Sequence, residues 1–576
     1  MEKKLWHSER WPQGVPYDVS GYQRPVFDLL DQAADQYPDQ TYTIFQDAQK
    51  SFAQVRATAN RVANFLAEKG IGKGDRVAVF LPNLPHYPEI FFGVLKAGAV
   101  CVTCNPMYTA DELNFQLKDS GAKAMFVMDH PLFYPTAVKA MAGSQVQTLV
   151  VCNIKSYLPW IKGFLGGLLG KLPKAGAIDP KHLSFDQVVG AASDAAPAVS
   201  IDPERDLALI IYTGGTTGAP KGAAIAHKSL YYDVEAAYTW VRMEPRGDDP
   251  PGPLSPAKHT YLGVLPWYHS FGLTLCMLMA ARVAGRLVCI PDPRAGNPPF
   301  TDTIAAVQKY KVTLIVAVPT IFSAFVNHPL LDKFDLSSVL GCGSGGAPLP
   351  EGVIKAFEAK TGAVIFEGWG LSETSPVLTT NPTNLAQRKI GSVGPPLPGT
   401  EVAIVDLELG ASFLPQGEDG EIAVHGPQVM RGYWQRPDAD AEVFRELDGK
   451  RWFLTGDIGH LDEHGFVVIT DRKKDLILVG GFNAYPREIE EVLYLHPKVA
   501  EAAVIGIPDQ HSGEAVKAFI KLKDGESADE AEIKAYCKEH LAGYKRPKFV
   551  EFRDGLPTSV VGKVLRRVLR DEELKK

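Results

Sequence analysis

The sequence predicts an α/β protein: a large N-terminal domain of α/β sheets with a β-rich subdomain, then a small α+β C-terminal domain. Three observations predict it. Helical and strand-like periods alternate between residues 25 and 128 and again between 207 and 318. From Thr400 the texture changes to short apolar segments between glycine turns. After the charge run Asp471-Arg-Lys-Lys-Asp475 a last alternation begins. Alternation of this kind builds layered sheets flanked by helices. A chain of 576 residues also exceeds what one hydrophobic core holds.

Taken in order, Pro25–Tyr37 and Ser51–Lys69 carry helical spacing, and Arg76–Leu81 reads as a strand. Tyr87–Lys96 reads as a helix, Ala99–Val102 as a strand, Ala110–Asp119 as a helix and Ala124–Met128 as a strand. The second round comprises strands at Leu207–Ile211, Tyr261–Leu265, Arg286–Ile290 and Val312–Val318, with a helix over Phe300–Tyr310. The β-rich stretch holds Glu401–Val405, Gly420–Val424 and Gly465–Thr470. The final segments are helix Pro486–Tyr494, strands Val499–Gly506 and Glu514–Leu522, helix Asp529–His540 and strand Phe549–Phe552. No internal repeat of fixed period is present.

Composition narrows the class. With 45% hydrophobic and 22% charged residues the chain reads as soluble and globular, neither disordered nor fibrous. A net charge of −7 argues against a nucleic-acid partner, which usually leaves a basic bias. Seven dispersed cysteines point to a reducing compartment. Cys101-Val-Thr-Cys104 has the spacing of a metal or redox pair, but its apolar neighbours favour a buried strand. The N-terminus lacks the apolar core of a signal peptide, and no run of eighteen apolar residues predicts a spanning helix. A cytoplasmic location follows as the expectation.

The most informative stretch is Tyr212-Thr-Gly-Gly-Thr-Thr-Gly-Ala-Pro-Lys-Gly222, directly after the apolar run Leu207–Ile211. Gly214, Gly215 and Gly218 permit positive φ and close approach of a ligand to the backbone. Their N–H groups, with the hydroxyls of Thr213, Thr216 and Thr217 and the ammonium of Lys221, form a donor set suited to phosphate oxygens. The common P-loop would need Gly-Lys followed by Ser or Thr; here Pro220 precedes Lys221 and Gly222 follows it.

This segment resembles the phosphate-binding signature of the adenylate-forming enzymes: acyl-CoA synthetases, luciferases and the adenylation domains of peptide synthetases. The resemblance runs from about Phe27 to Arg570, through six motifs in family order, and implies the adenylate-forming fold. A second glycine-rich loop, Gly341-Cys-Gly-Ser-Gly-Gly-Ala-Pro348, follows the apolar Val339-Leu340, and the resemblance places its Gly345 and Gly346 along an adenine face. In Glu367-Gly-Trp-Gly-Leu-Ser-Glu-Thr374 it implies that Trp369 stacks on adenine, Ser372 supplies a hydroxyl and Glu373 holds Mg²⁺. Trp369 and Ser372 stand where the family usually has Tyr and Thr, substitutions that keep a π face and a hydroxyl. Asp457, in Trp452-Phe-Leu-Thr-Gly-Asp-Ile458, matches the residue that grips the ribose diol, and Arg472 a residue that approaches ribose or phosphate. His269, in Pro266-Trp-Tyr-His-Ser-Phe-Gly272, matches a histidine near the acyl carboxylate, with the flanking aromatics open between core and tunnel wall.

The resemblance also assigns the last hundred residues. Lys563 matches the lysine that bridges the acyl carboxylate and the α-phosphate during adenylation. Gly480 and Gly481 match the backbone past which the pantetheine arm of CoA runs, and Lys474 the hinge. Domains of 1–473 and a mobile lid of 474–576 follow. The motif set looks most like that of long-chain fatty-acid–CoA ligases. It implies fatty acid, ATP and CoA as substrates, with Mg²⁺. Ligases for medium-chain, dicarboxylic, alicyclic or aromatic acids, and a fatty-acyl-AMP ligase serving a carrier protein, stay open. So does assembly as a homodimer. From other classes, a P-loop NTPase or kinase is disfavoured by the missing Gly-Lys-Ser/Thr. A non-catalytic nucleotide binder is disfavoured by the joint presence of Lys563, Glu373 and Asp457.

One segment stands apart. In Ser156–Leu172, residues Trp160, Ile161, Phe164, Leu165, Leu168, Leu169 and Leu172 share one helical face, with lysines around it. Such a face suits the surface of an anionic membrane, which makes peripheral contact with its inner face the expectation, against packing on the protein itself.

Overall fold

Short, almost wholly apolar segments form the centre of the sheets. Val100–Thr103 and Ala124–Met128 are buried throughout, as expected for parallel strands covered on both faces. The computed structural model describes residues 4–160, 162, 172–213, 220–241, 252–480, 482–509, 512–558 and 564–575. The chain divides into two units. The first comprises Met1–Ile390, Gly394–Thr400 and Gly426–Glu442; the second comprises Gly391–Val393, Glu401–His425 and Val443–Lys576.

Among the described residues, the first unit holds two eight-stranded sheets. One runs in the order Gly432–Tyr433, Lys221–Ala226, Leu207–Thr213, Val100–Thr103, Arg76–Phe80, Ala124–Met128, Thr148–Cys152 and Leu183–Ser184. Its strands are parallel from Leu207–Thr213 onward, and Lys221–Ala226 is antiparallel to its neighbours. The other runs Val377–Thr380, Val364–Gly370, Gly341–Ser344, Leu314–Ala317, Thr260–Gly263, Arg286–Cys289, Thr41–Phe45 and Ala48–Ser51, parallel except at its two edges. Capping is legible in the sequence. Ser51 and Gln54 form a capping box at Phe52–Glu68, and Thr109 and Glu112 form another at Ala110–Ser120, which ends on the left-handed Gly121.

The second unit also holds two sheets. In one, Lys450–Leu461 lies among Gly420–His425, Phe444–Leu447 and Val467–Arg472. In the other, Gly513–Leu522 pairs antiparallel with Val499–Asp509 and Ile477–Val479, and parallel with Phe549–Phe552. Its core includes Ile477, Ile489, Leu493, Val504 and Ile533.

Each segment read above as a helix or strand forms that element, with ends displaced by a few residues, apart from Ser156–Leu172, most of which lies outside the described residues. The glycine-rich stretch read as a loop after Val339-Leu340 differs: Gly341–Ser344 is a buried strand, paired on both sides. Parallel neighbours satisfy its backbone groups, which outweighs the low strand propensity of glycine. The charge run is ordered too. Val467–Arg472 leads into the 3₁₀ turn Lys473–Asp475, with Asp471 and Asp475 buried. All seven cysteines are free and buried. Among the described residues no helix is long and apolar enough to cross a membrane.

Candidate active site

In the first unit the strand Leu207–Thr213 returns as Lys221–Ala226, with Thr213 opposite Lys221. The Thr213 hydroxyl donates to the Lys221 carbonyl at 3.4 Å. A P-loop is followed by a helix; here the chain returns as an antiparallel strand, so the two ends of the glycine-rich turn are fixed by one hairpin. Gly214, Gly215, Thr216, Thr217 and Gly218 lie outside the described residues.

Lys221 points its ammonium at the ring of Tyr433, 5.3 Å from the centroid, and lies 3.3 Å from Glu442. Tyr433 sits on the short strand paired with Lys221–Ala226. Its hydroxyl donates to Glu373 Oε1 at 3.0 Å. Burial, then the Glu373 charge, pushes the Tyr433 phenol up from its ordinary pKa, so it stays a neutral donor. Glu373 lies in the 3₁₀ turn Ser372–Thr374 and is 8% exposed. Its carbonyl accepts from the Met430 N–H at 2.7 Å.

The neighbouring motifs connect to this group. The Ser372 and Ser270 hydroxyls are 3.2 Å apart. His269 precedes Ser270, and its Nδ1 accepts from the Phe271 N–H at 3.4 Å, capping the turn Ser270–Gly272. A Cβ on Gly345 would stand 3.1 Å from the Phe271 ring and 3.2 Å from the Gly368 carbonyl, while Gly346 has φ +82°. Gly346 therefore needs glycine, and a side chain at Gly345 would crowd Phe271 and Gly368. Trp369 follows Gly368 on Val364–Gly370 and is half-buried. Lys221, Glu373, Ser372, His269, Gly345 and Trp369 thus form one continuous neighbourhood, with Gly346 beside it.

Behind Gly341–Ser344 the first unit contains an apolar cavity of about 60 Å³, lined by Trp240, Tyr261, Met279, Val316, Gly343 and Phe366 among others.

In the second unit Asp457 and Arg472 are cross-strand partners. The Arg472 Nε lies 3.1 Å from Asp457 Oδ1, and the Asp457 side chain is 5% exposed. Glu421 is buried beside them, accepting from the Gly456 N–H and paired with Lys473 at 2.7 Å. Lys474 is exposed in the turn Lys473–Asp475, and its carbonyl accepts from Arg570 at 3.2 Å. Gly480 has φ +59° and donates to the Ser512 carbonyl at 2.8 Å. Gly481 and Lys563 lie outside the described residues.

Residues 30–434 match the model of the AMP-binding enzyme family, and residues 488–563 match that of the AMP-binding enzyme C-terminal domain. The chain belongs to the AMP-binding enzyme family. It is 39% identical over 585 residues to a long-chain-fatty-acid–CoA ligase of Bacillus subtilis, covering 100% of this chain and 99% of that one. It is also 39% identical over 583 residues to one of Yersinia pestis, with the same coverage. Among solved structures it resembles ATP-bound MatB from Rhodopseudomonas palustris, at 29% identity and a TM-score of 0.79, covering 95% of this chain and 99% of that one.

Within this AMP-binding enzyme, several residues escaped the motif reading. Tyr433 links Lys221 to Glu373, yet no spacing in the sequence ties 433 to either. Its signal is the run Gly432-Tyr-Trp-Gln-Arg436, two aromatics and an arginine after a glycine. The same run anchors Asp119, which accepts from Tyr212 at 2.7 Å and from Arg436 at 2.5 Å, while the Trp434 indole donates to the Asp119 carbonyl at 3.2 Å. In the second unit Arg566 binds Glu490 at 2.5 Å and Asp475 at 3.1 Å, fixing the start of the helix Arg566–Glu573. Burial, partly offset by Arg566, raises the Glu490 pKa.

Among the described residues no group of three or more His, Cys, Asp or Glu could hold a metal. A lone carboxylate such as Glu373 still suits Mg²⁺, which binds one or two carboxylates and fills its remaining positions with water and phosphate oxygens.

Of the segment Ser156–Leu172, residue 161 and residues 163–171 lie outside the described residues. Tyr157 is buried and donates to Glu89, whereas Trp160 is 80% exposed. Lys162 pairs with Asp47 at 2.7 Å.

Proposed function

We propose that this protein is an AMP-forming ligase that activates a long-chain fatty acid with ATP and transfers the acyl group to coenzyme A. The observation that carries the reading is identity of 37–39% over nearly the whole chain to proteins named long-chain-fatty-acid–CoA ligase. The apolar cavity behind Gly341–Ser344 agrees with an apolar substrate.

The chemistry needs two displacements. A carboxylate is a poor electrophile, so its oxygen first attacks the α-phosphorus of ATP and pyrophosphate leaves. The CoA sulfur, its proton lost, then attacks the acyl carbon and AMP leaves. No protein nucleophile is required, so positioning and electrostatics supply the rate. In this reading the Thr213–Lys221 loop cradles phosphates, and Glu373, steadied by Tyr433, would hold Mg²⁺, which would offset charge on the phosphate oxygens. Trp369, Gly345 and Gly346 receive adenine, with Ser372 close by. Asp457 and Arg472 receive ribose, and His269 the acyl carboxylate. Lys563 neutralises the charge built up during adenylation, and Gly480 and Gly481 border the pantetheine path.

The test is an assay with ATP, CoA and fatty acids of graded length. AMP and pyrophosphate should appear, with the highest kcat/KM on long chains. ADP as product, or a preference for short aromatic or dicarboxylic acids, would refute it.

Two finer readings accompany this one. The lid comprises 474–576 and rotates about Lys474 between the half-reactions. Lys474→Pro, which fixes φ near −65°, should then spare acyl-AMP formation and slow thioester formation; unchanged rates in both would remove the hinge from this position. The segment Ser156–Leu172 contacts anionic membranes. Trp160→Asp with Phe164→Asp should lower co-sedimentation with anionic liposomes while leaving activity on a soluble short acid. Equal binding by both proteins would refute it.

A further inference from the structure

Asp119 stands in the last turn of the helix Ala110–Ser120, and its side chain is 12% exposed. An acid at the C-terminal end of a helix opposes the helix dipole, so helix stability does not account for it there. Distant parts of the chain engage both of its carboxylate oxygens. Oδ2 accepts from the Tyr212 hydroxyl at 2.7 Å, and Oδ1 accepts from Arg436 at 2.5 Å. Its carbonyl accepts from the Trp434 indole at 3.2 Å. Tyr212 and Trp434 also meet at one residue, Gly222. Tyr212 is its cross-strand partner, and the Trp434 N–H donates to its carbonyl at 2.7 Å. A Cβ on Gly222 would stand 2.7 Å from Ile210, 3.3 Å from Tyr212 and 3.5 Å from Trp434, so this close packing needs glycine. Burial, then the bond to Asp119, pushes the Tyr212 phenol up from its ordinary pKa, so it stays a donor. The contacts reach two parts of the candidate site. Tyr212 precedes Thr213 at the entry of the glycine-rich turn, and Trp434 follows Tyr433, which donates to Glu373.

We propose that Asp119 is a positioning residue for ATP, holding the entry of the glycine-rich turn and the Tyr433–Glu373 pair at one spacing. The proposal rests on the reading of that turn as the phosphate cradle and of Glu373 as the Mg²⁺ carboxylate. Mg²⁺ takes one or two protein carboxylates and fills its other positions with phosphate oxygens and water. The backbone donors and the carboxylate must therefore meet the same triphosphate, and their spacing decides how far each strengthens the other. Asp119 itself touches neither nucleotide nor metal in this reading. It acts through Tyr212 on one side and through Trp434 and Arg436 on the other.

The experiment measures equilibrium binding of ATP by calorimetry, without fatty acid, once with Mg²⁺ and once with EDTA. Its readout is the factor by which Mg²⁺ tightens ATP binding. Tyr212→Phe removes one hydrogen bond to the carboxylate and leaves Arg436 on it, and the factor should fall about tenfold. Asp119→Ala should lower it at least as far. The double variant should lower it no further than Asp119→Ala, because both substitutions act through one carboxylate. Thermal unfolding checks that each variant folds, and Tyr212→Phe alone decides the matter if Asp119→Ala does not fold. A purely structural role would give a lower unfolding midpoint or fewer binding sites with an unchanged factor. That result, or additive losses in the double variant, would overturn the proposal while leaving the site reading intact. Wild type that binds no ATP, or binds it equally with and without Mg²⁺, would overturn the site reading and the proposal with it.

Discussion

The carboxylates that the two units present are held in opposite ways. In the first unit Glu373 accepts from the neutral phenol of Tyr433. In the second, Asp457 faces the guanidinium of Arg472 across neighbouring strands. A phenol orients a carboxylate and leaves its charge intact, which suits a group that meets a divalent cation. A guanidinium offsets that charge and fixes the oxygens, which suits an acceptor for the uncharged hydroxyls of a ribose. Two acidic side chains of similar burial thus have different chemistry available, and the partner's charge makes the difference.

The largest expected effect probes the second unit without touching either pair. Lys563→Ala should slow acyl-AMP formation by on the order of 10²–10³ or more. Conversion of supplied acyl-AMP to acyl-CoA should persist; equal loss in both assays would show that Lys563 is not specific to adenylation.

The ion pair itself comes next. Arg472→Met removes the guanidinium that faces the buried Asp457. Removing one partner of a buried pair costs about 3–5 kcal/mol, and about 2 kcal/mol is expected here because a third of the Arg472 side chain is exposed. Chemical denaturation reads this cost. The apparent KM for ATP should rise as well, and an unchanged midpoint and KM would mean that Arg472 neither supports nor orients Asp457.

The smallest effect sharpens the contrast. Tyr433→Phe removes one hydrogen bond from a neutral donor to a carboxylate, worth about 1.5 kcal/mol, or roughly a tenfold change. It should appear as a higher Mg²⁺ concentration for half-maximal adenylation, with little loss of stability. A large loss of stability with unchanged Mg²⁺ dependence would make Tyr433 a packing residue and dissolve the comparison.

Much of the fold was legible beforehand because the strands at its centre are short, apolar and bounded by glycine turns. Ala124–Met128, Glu401–Val405, Pro486–Tyr494 and Phe549–Phe552 have the bounds that their periodicity predicts. The hairpin Thr41–Phe45 with Ala48–Ser51 was not legible. It lies at a sheet edge, where Gln46 and Asp47 make the turn with positive φ and without glycine, so the usual turn signal is missing.

By itself the sequence determined the element types and the chemically committed residues. Periodicity follows from which faces must be buried, and motifs such as Thr213–Lys221 follow from what a phosphate demands of a backbone. Which side chains meet was decided only by the tertiary structure. Tyr433 reaches Glu373 because its strand docks on Lys221–Ala226. Gly341–Ser344 became a strand because Leu314–Ala317 and Val364–Gly370 supply its hydrogen bonds. Such contacts depend on sheet order and register, and strand pairing is set by long-range packing that local composition does not encode.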